Sequence, residues 1–215
     1  MSLPVINTTG THRKPDNLYG SPPDCLVAIV STIGAAEEIS TVLRGLPANT
    51  SAGFLVLPDV RLGFSRLLCE RLQVDCSLPV YEVNGETTLA QAEVFVTPAQ
   101  ISVNLARSDD GSILLYEPNA DTTTESSNRM VRILKSAAEV FRQELTVVIL
   151  SGMEGDIIAA ATAAKDLGAR ILAQSEATTL IHDAPHAVIE AKLADDVLPL
   201  WAIGGRITDL LESRR

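Results

Sequence analysis

The sequence predicts an α/β protein, a doubly wound, mostly parallel sheet with helices on both faces and an inserted β-meander or hairpin. Three observations predict it. From Cys25 onward, short apolar runs alternate with segments of helical periodicity, the pattern of strands joined by crossover helices. The runs are continuously apolar, as strands covered on both faces are. The chain is 46% hydrophobic but only 4% aromatic, so its core is built from Leu, Ile, Val and Ala, which suits packed strand and helix layers.

The elements follow in order. Residues 1–24 carry Pro4, Pro15, Pro22 and Pro23 among Asn, Thr, Gly and Ser, without periodicity. They read as an extension or linker whose first three residues resemble an expression remnant, and residues 25–215 read as one folded domain. "CLVAIV" (25–30) is a buried strand, and "AAEEISTVLRGL" (35–46) is a helix with Ile39, Val42, Leu43 and Leu46 on one face. "AGFLVL" (52–57) is a strand and "GFSRLLCERL" (63–72) a helix. "AEVFVT", "ISVNLA" and "SILLY" are three short strands between turn signals at Thr97-Pro98 and Asp109-Asp110-Gly111, and form the inserted meander. After the polar "DTTTESSN", a helix over 127–143 places Met130, Ile133, Leu134, Ala137, Ala138 and Phe141 at helical spacing. "LTVVIL" is a strand, "SGMEGD" a turn, and "IIAAATAAKDLG" a helix closed by Gly168. "ARILAQ" is a strand, 185–194 a helix with Pro185 in its first turn, "DDVLPL" a short strand or turn, and a final helix follows.

Composition excludes several function classes. Net charge is −10 with no run of clustered Lys and Arg, which disfavours nucleic acid and anionic membrane surfaces. The sequence holds neither an apolar run of about 18 residues nor an N-terminal apolar h-region. Cys25, Cys69 and Cys76 form no CxxC pair, so reduced thiols in the cytoplasm are expected. Ligands of such sheets sit beyond the carboxyl ends of strands, which singles out the turns at 31–34, 58–63 and 151–156. The first offers hydroxyls. The third offers Asp156 beside Gly152 and Gly155, whose amides could stabilise an oxyanion. The second, "PDVRLG", offers no histidine. His12 lies in the extension, and the i, i+4 pair His182 and His186 is interrupted as a metal pair by Pro185. Neither metal nor cofactor is expected. Thr32, Asp59 and Asp156 also read as caps of the helices that follow them, from about Arg61 in the case of Asp59.

Taken in order, these segments resemble the catalytic domain of the chemotaxis receptor methylesterases (CheB type), from about Leu26 to Leu200. The family motif "AIGASTGG" is matched by "AIVSTIGA", and the Leu-Pro after the next helix by Leu46-Pro47. "QHMPxGF" is matched by "PDVRLGF", "APG" by Thr97-Pro98-Ala99, and "SVAE" by the "SAAE" that opens at Ser136. "LTGMGxDG" is matched by "LSGMEGDI", "AQxEA" by "AQSEA", "GMPxxAI" by "DAPHAVI", and "VLPL" by Val197 to Leu200. The resemblance implies hydrolysis of γ-glutamyl methyl esters on chemoreceptors, and deamidation of glutamine there, by a Ser-His-Asp triad.

Carried over position by position, the serine falls on Thr32, the histidine on Asp59 and the aspartate on Asp156, which is retained. A one-residue slip would make Ser31 the nucleophile, and His182 is the candidate for a displaced base. Thr32 carries a γ-methyl that crowds attack, and a carboxylate at Asp59 is a poor base toward an alcohol at neutral pH. Two carboxylates without an imidazole between them suit a cation or a basic side chain better than proton relay. Three readings follow: a methylesterase-like domain without turnover, an active divergent esterase or amidase using Thr32 or Ser31, and a phosphate or small-ligand binder using helix N-termini. The expected partner is a chemoreceptor cytoplasmic tail or another chemosensory signalling protein. The family's receiver domain has no counterpart in these 215 residues.

Overall fold

The computed structural model describes residues 20–31, 35–118 and 128–214. The apolar runs become β1 (Cys25–Ser31), β2 (Ala52–Pro58), β8 (Leu145–Ile149) and β9 (Arg170–Gln174), and β1, β2 and β8 are buried along their whole length. With β10 (Asp196–Leu198), β5 (Val94–Val96) and β3 (Val80–Glu82) they form one parallel sheet in the order β10-β9-β8-β1-β2-β5-β3.

Alternation along β1 divides the core into two layers, because successive strand side chains point to opposite faces. Leu26, Ala28 and Val30 pack with α3 (Arg129–Phe141), α4 (Ile157–Asp166) and α5 (Asp183–Glu190). Cys25, Val27 and Ile29 pack with α1 (Ala35–Arg44), α2 (Phe64–Asp75) and α6 (Leu200–Glu212). The chain runs from β1 through α1 on one face to β2. It later returns through α3 on the other face to β8, on the opposite flank of β1. The winding reverses at β1, so the crevice where ligands bind opens beyond the carboxyl ends of β1, β2 and β8.

The structure differs from the expectation in three places. The inserted unit is a separate antiparallel sheet, β4 (Thr87–Leu89), β7 (Ile113–Tyr116) and β6 (Asn104–Arg107) in the order β4-β7-β6. "VFV" belongs to the main sheet, where all three residues are buried. β3 and β4 are three residues each, too short for a periodic signal. α2 begins at Phe64 behind Gly63, whose φ of 95° favours glycine, so Asp59 caps nothing. α5 begins at Asp183, two residues before the expected start, and leaves His182 at its N-cap. Gly168 closes α4 as expected: at φ 99° it donates to the Lys165 carbonyl while Ala169 donates to that of Ala164, a Schellman motif.

Candidate functional site

Thr32 lies outside the described residues. Its neighbour Ser31 ends β1, almost fully buried, and its hydroxyl donates to the Ser151 carbonyl at 3.3 Å. That proton is committed to the backbone, and no imidazole or carboxylate accepts from Ser31 among the described residues. The Ser31 carbonyl accepts from the Asp59 N–H at 3.1 Å, which sets Asp59 directly beside the end of β1. The Asp59 carboxylate is exposed, and its charge reaches Arg129.

Arg129 is a residue that sequence reasoning missed. It opens α3 and donates to the carbonyls of Ile101 (2.8 Å), Thr97 (2.9 Å) and Pro98 (3.0 Å), so it clamps the loop after β5 to the helix. Burial lowers the guanidinium to about 10, against the opposing pull of Asp59. Asp59 and Arg129 thus place a carboxylate and a guanidinium within electrostatic reach of each other beside the end of β1.

The third turn is fastened on both sides. Leu150 donates to the Val30 carbonyl at 2.9 Å and extends the β1–β8 pairing. The Gly152 N–H donates to the Ile181 carbonyl at 3.0 Å, and the Gly152 carbonyl accepts from Ala184 at 2.8 Å. The Gly152 amide is therefore occupied, which corrects its expected role as an oxyanion donor. Asp156 occupies the N-cap position of α4 without a side-chain capping bond, which corrects the expected cap. Its backbone (φ −99°, ψ 21°) lies outside the extended region in which an N-cap side chain reaches back to the helix. A cleft of about 90 Å³ brings Ser31, Gly152, Met153, Asp156, Met130 and Ala184 together. His182 is exposed, its Nδ1 lies 3.4 Å from Thr179 Oγ1, and it is not among the residues lining that cleft.

Beneath the cleft runs a buried polar network centred on Glu38, only 3% exposed. Its Oε1 accepts from Ser151 Oγ and from Gln174 Nε2 at 3.3 Å. Gln174 Oε1 accepts from the Ser151 N–H at 3.0 Å, and its Nε2 also donates to the Thr178 carbonyl at 2.9 Å. Ser151 Oγ in turn accepts from the Leu180 N–H at 2.9 Å. One carboxylate therefore ties the first turn of α1 to the third turn and to the segment after β9. The signal was present in the sequence, since Glu38 stands four residues before Val42, on the face that carries Ile39 and Leu46.

Among the described residues, Ser31 of the cleft donates to a backbone carbonyl, and the cleft hydroxyl that meets a carboxylate is that of Ser151, whose acceptor Glu38 is buried. The thiols supply no nucleophile: Cys25, Cys69 and Cys76 are buried and free, and desolvation pushes Cys69 up to about 12. Among the described residues no three His, Cys, Asp or Glu side chains are placed to share a metal ion.

Residues 27–207 match the sequence model of the family described as CheB methylesterase. A protein-glutamate methylesterase/protein-glutamine glutaminase of Moorella thermoacetica is 31% identical over 186 residues, covering 86% of this chain and 44% of that protein. One of the same description from Thermotoga maritima is 26% identical over 186 residues, covering 86% of this chain and 54% of that protein. The chain thus spans about half the length of the curated relatives it matches. The crystal structure of the Thermotoga maritima CheB methylesterase catalytic domain superposes with a TM-score of 0.79 at 25% identity, over 90% of this chain and all of that one. The matched sequence and the superposed fold agree, and this chain belongs to the CheB methylesterase family.

Proposed function

We propose that this domain is a methylesterase-like binding module of a cytoplasmic chemosensory pathway, engaging a chemoreceptor tail or a signalling partner with little or no turnover. The observation that carries the reading is at the base position. Asp59, which the resemblance aligns with the family histidine, is exposed and within reach of the charge of Arg129, and among the described residues no imidazole lines the cleft beside Ser31 and Asp156. Loss of the nucleophile or base of a hydrolytic triad costs up to about 10⁶ in turnover. The β1 strand, the sheet order and the Leu46-Pro47 and Val197–Leu200 matches are kept, which supports a retained fold around an altered site. Residues 25–215 form the module, and 1–24 serve as an extension or linker.

The test is methanol release from a methylated chemoreceptor fragment at high protein concentration, alongside binding of the same fragment. The expected result is saturable binding with no methanol above buffer, unchanged in Thr32→Ala and Ser31→Ala. Methanol release abolished by one of those variants would establish a divergent hydrolase and name its nucleophile.

A further inference from the structure

We propose that Arg129 and Arg132, at the start of α3, hold a carboxylate of the partner segment, so that the module binds a receptor glutamate in its free form in preference to its methyl ester. This deepens the binding-module reading and rests on it.

The two arginines are a pair of charges without a counter-charge. They lie one turn apart on α3, and their guanidinium groups meet neighbouring residues of one loop. Arg129 Nε donates to the Ile101 carbonyl at 2.8 Å, and Arg132 Nη2 donates to Ser102 Oγ at 2.6 Å. Both side chains belong to half-buried residues. The other half-buried cations among the described residues each have a carboxylate within 4 Å: Lys165 has Asp195, Arg170 and Arg206 share Asp196, and Arg214 has Glu144. Arg61, Arg107, Lys135, Arg142 and Lys192 also lack an ion pair, but they are exposed and water solvates them. Among the described residues, Arg129 and Arg132 alone are both withdrawn from water and without an ion pair.

Withdrawing a charge from water without pairing it is costly, and bringing two like charges to one loop adds repulsion. Burial lowers the Arg129 guanidinium to about 10, and Asp59, exposed and beyond ion-pair distance, opposes that fall only in part. An anion shared by the two arginines offsets both costs.

Unpartnered polar atoms mark the same spot. Arg132 Nε and Thr97 Oγ1 are buried without a hydrogen-bond partner. Thr97 is fully buried just after β5, where its carbonyl accepts from Arg129 at 2.9 Å. Buried polar groups are nearly always bonded, and both of these atoms can donate to an oxygen. The N-terminus of α3 has no acidic residue in its first turn, and its dipole favours an anion there. Met130, next to Arg129, lines the cleft, so the pair stands at the rim of that opening. The group it selects follows from chemistry. A guanidinium's paired N–H donors match a carboxylate. Methylation removes the charge and caps one oxygen, and the charge-assisted bonds are lost with it.

The experiment titrates the whole chain, isotopically labelled, with acetylated and amidated heptapeptides of alanine and serine that carry one central glutamate, its γ-methyl ester, or glutamine. Saturable NMR shifts at Ile101, Ser102 and Met130 are expected with the glutamate peptide, and affinity about ten-fold weaker with the other two. Arg132→Gln should weaken the glutamate peptide by a similar factor and erase its advantage over the ester. Arg66→Gln on α2, which removes the same charge elsewhere, should change neither. The comparison of glutamate with ester needs no variant, so it decides the matter even where Arg132→Gln disturbs α3. Absence of saturable shifts, equal affinity for glutamate and ester, or an advantage retained in a folded Arg132→Gln protein overturns the proposal. So does inorganic phosphate that shifts the same signals when the glutamate peptide does not. Titrating the receptor fragment in its methylated and unmethylated forms separates the two readings. If both forms bind equally, the carboxylate site falls and the binding module stands. If the glutamate peptide binds and neither fragment does, the site stands and the chemosensory assignment falls.

Discussion

Glu38 shows what one buried carboxylate does for this site. Truncating it to alanine strands the Ser151 hydroxyl and one Gln174 donor in a dry interior, and an unsatisfied buried group costs roughly 1–3 kcal/mol. Glu38→Ala should lower stability by at least that much in urea unfolding, and Glu38→Gln, which keeps an acceptor, by less. Equal stabilities for the two variants would show that the network carries no weight. At this scale the sequence was partly legible. Ser31, Asp59 and Asp156 do gather at the carboxyl ends of adjacent strands, as the motif order implied. Their bonding was not legible, because it depends on backbone angles and on partners far away in the chain. Asp156 has the residue type of a cap but not its backbone angles, and Arg129 finds three carbonyls that no local pattern announces.

Between elements, close packing sets the tolerances. α1 and α6 approach at Gly204, where an added Cβ would lie 2.8 Å from the Val42 carbonyl oxygen. Its neighbour Gly205 has nothing within 4 Å. Gly204→Ala should therefore cost about 1–3 kcal/mol by forcing the helices apart, while Gly205→Ala should gain about 0.5–1 kcal/mol of helix propensity. Parallel thermal unfolding of the two variants checks both signs. A second device joins α4 to the β9–β10 edge. Asp195 accepts from the Ile171 N–H and from Lys165, each at 2.8 Å. Burial pushes its carboxyl up, but those two groups and Arg170 outweigh it and hold it below the ordinary 3.8. The folded value is depressed, so the stabilisation is present above about pH 4 and is lost as the pH falls toward the folded value. Urea midpoints should drop on acidification through that window, and Asp195→Asn should flatten the drop. Helices and long strands were legible because burial on one face or two imposes a period. The three-residue β3 and β4 carry too few residues for one, and α5 starts early because Pro185 is tolerated anywhere in a first turn.

Across the whole molecule, the strand order could be anticipated only as a class. Alternation gives a parallel sheet, but it does not say that β5 lies inside β3, or that the inserted strands split between two sheets. Those choices follow from which apolar surfaces remain uncovered once the helices are placed. The position of β1 has a further effect on how the protein is made. β1 pairs with β2 on one side, but on the other side Leu26 waits for Leu145. The strand leaves the ribosome with one apolar edge that stays open until β8 has been synthesised. Such late, distant pairing slows folding and leaves an interval in which the edge can recruit another chain. Nascent chains that stop before Leu145 should depend on chaperones in a way the finished domain does not.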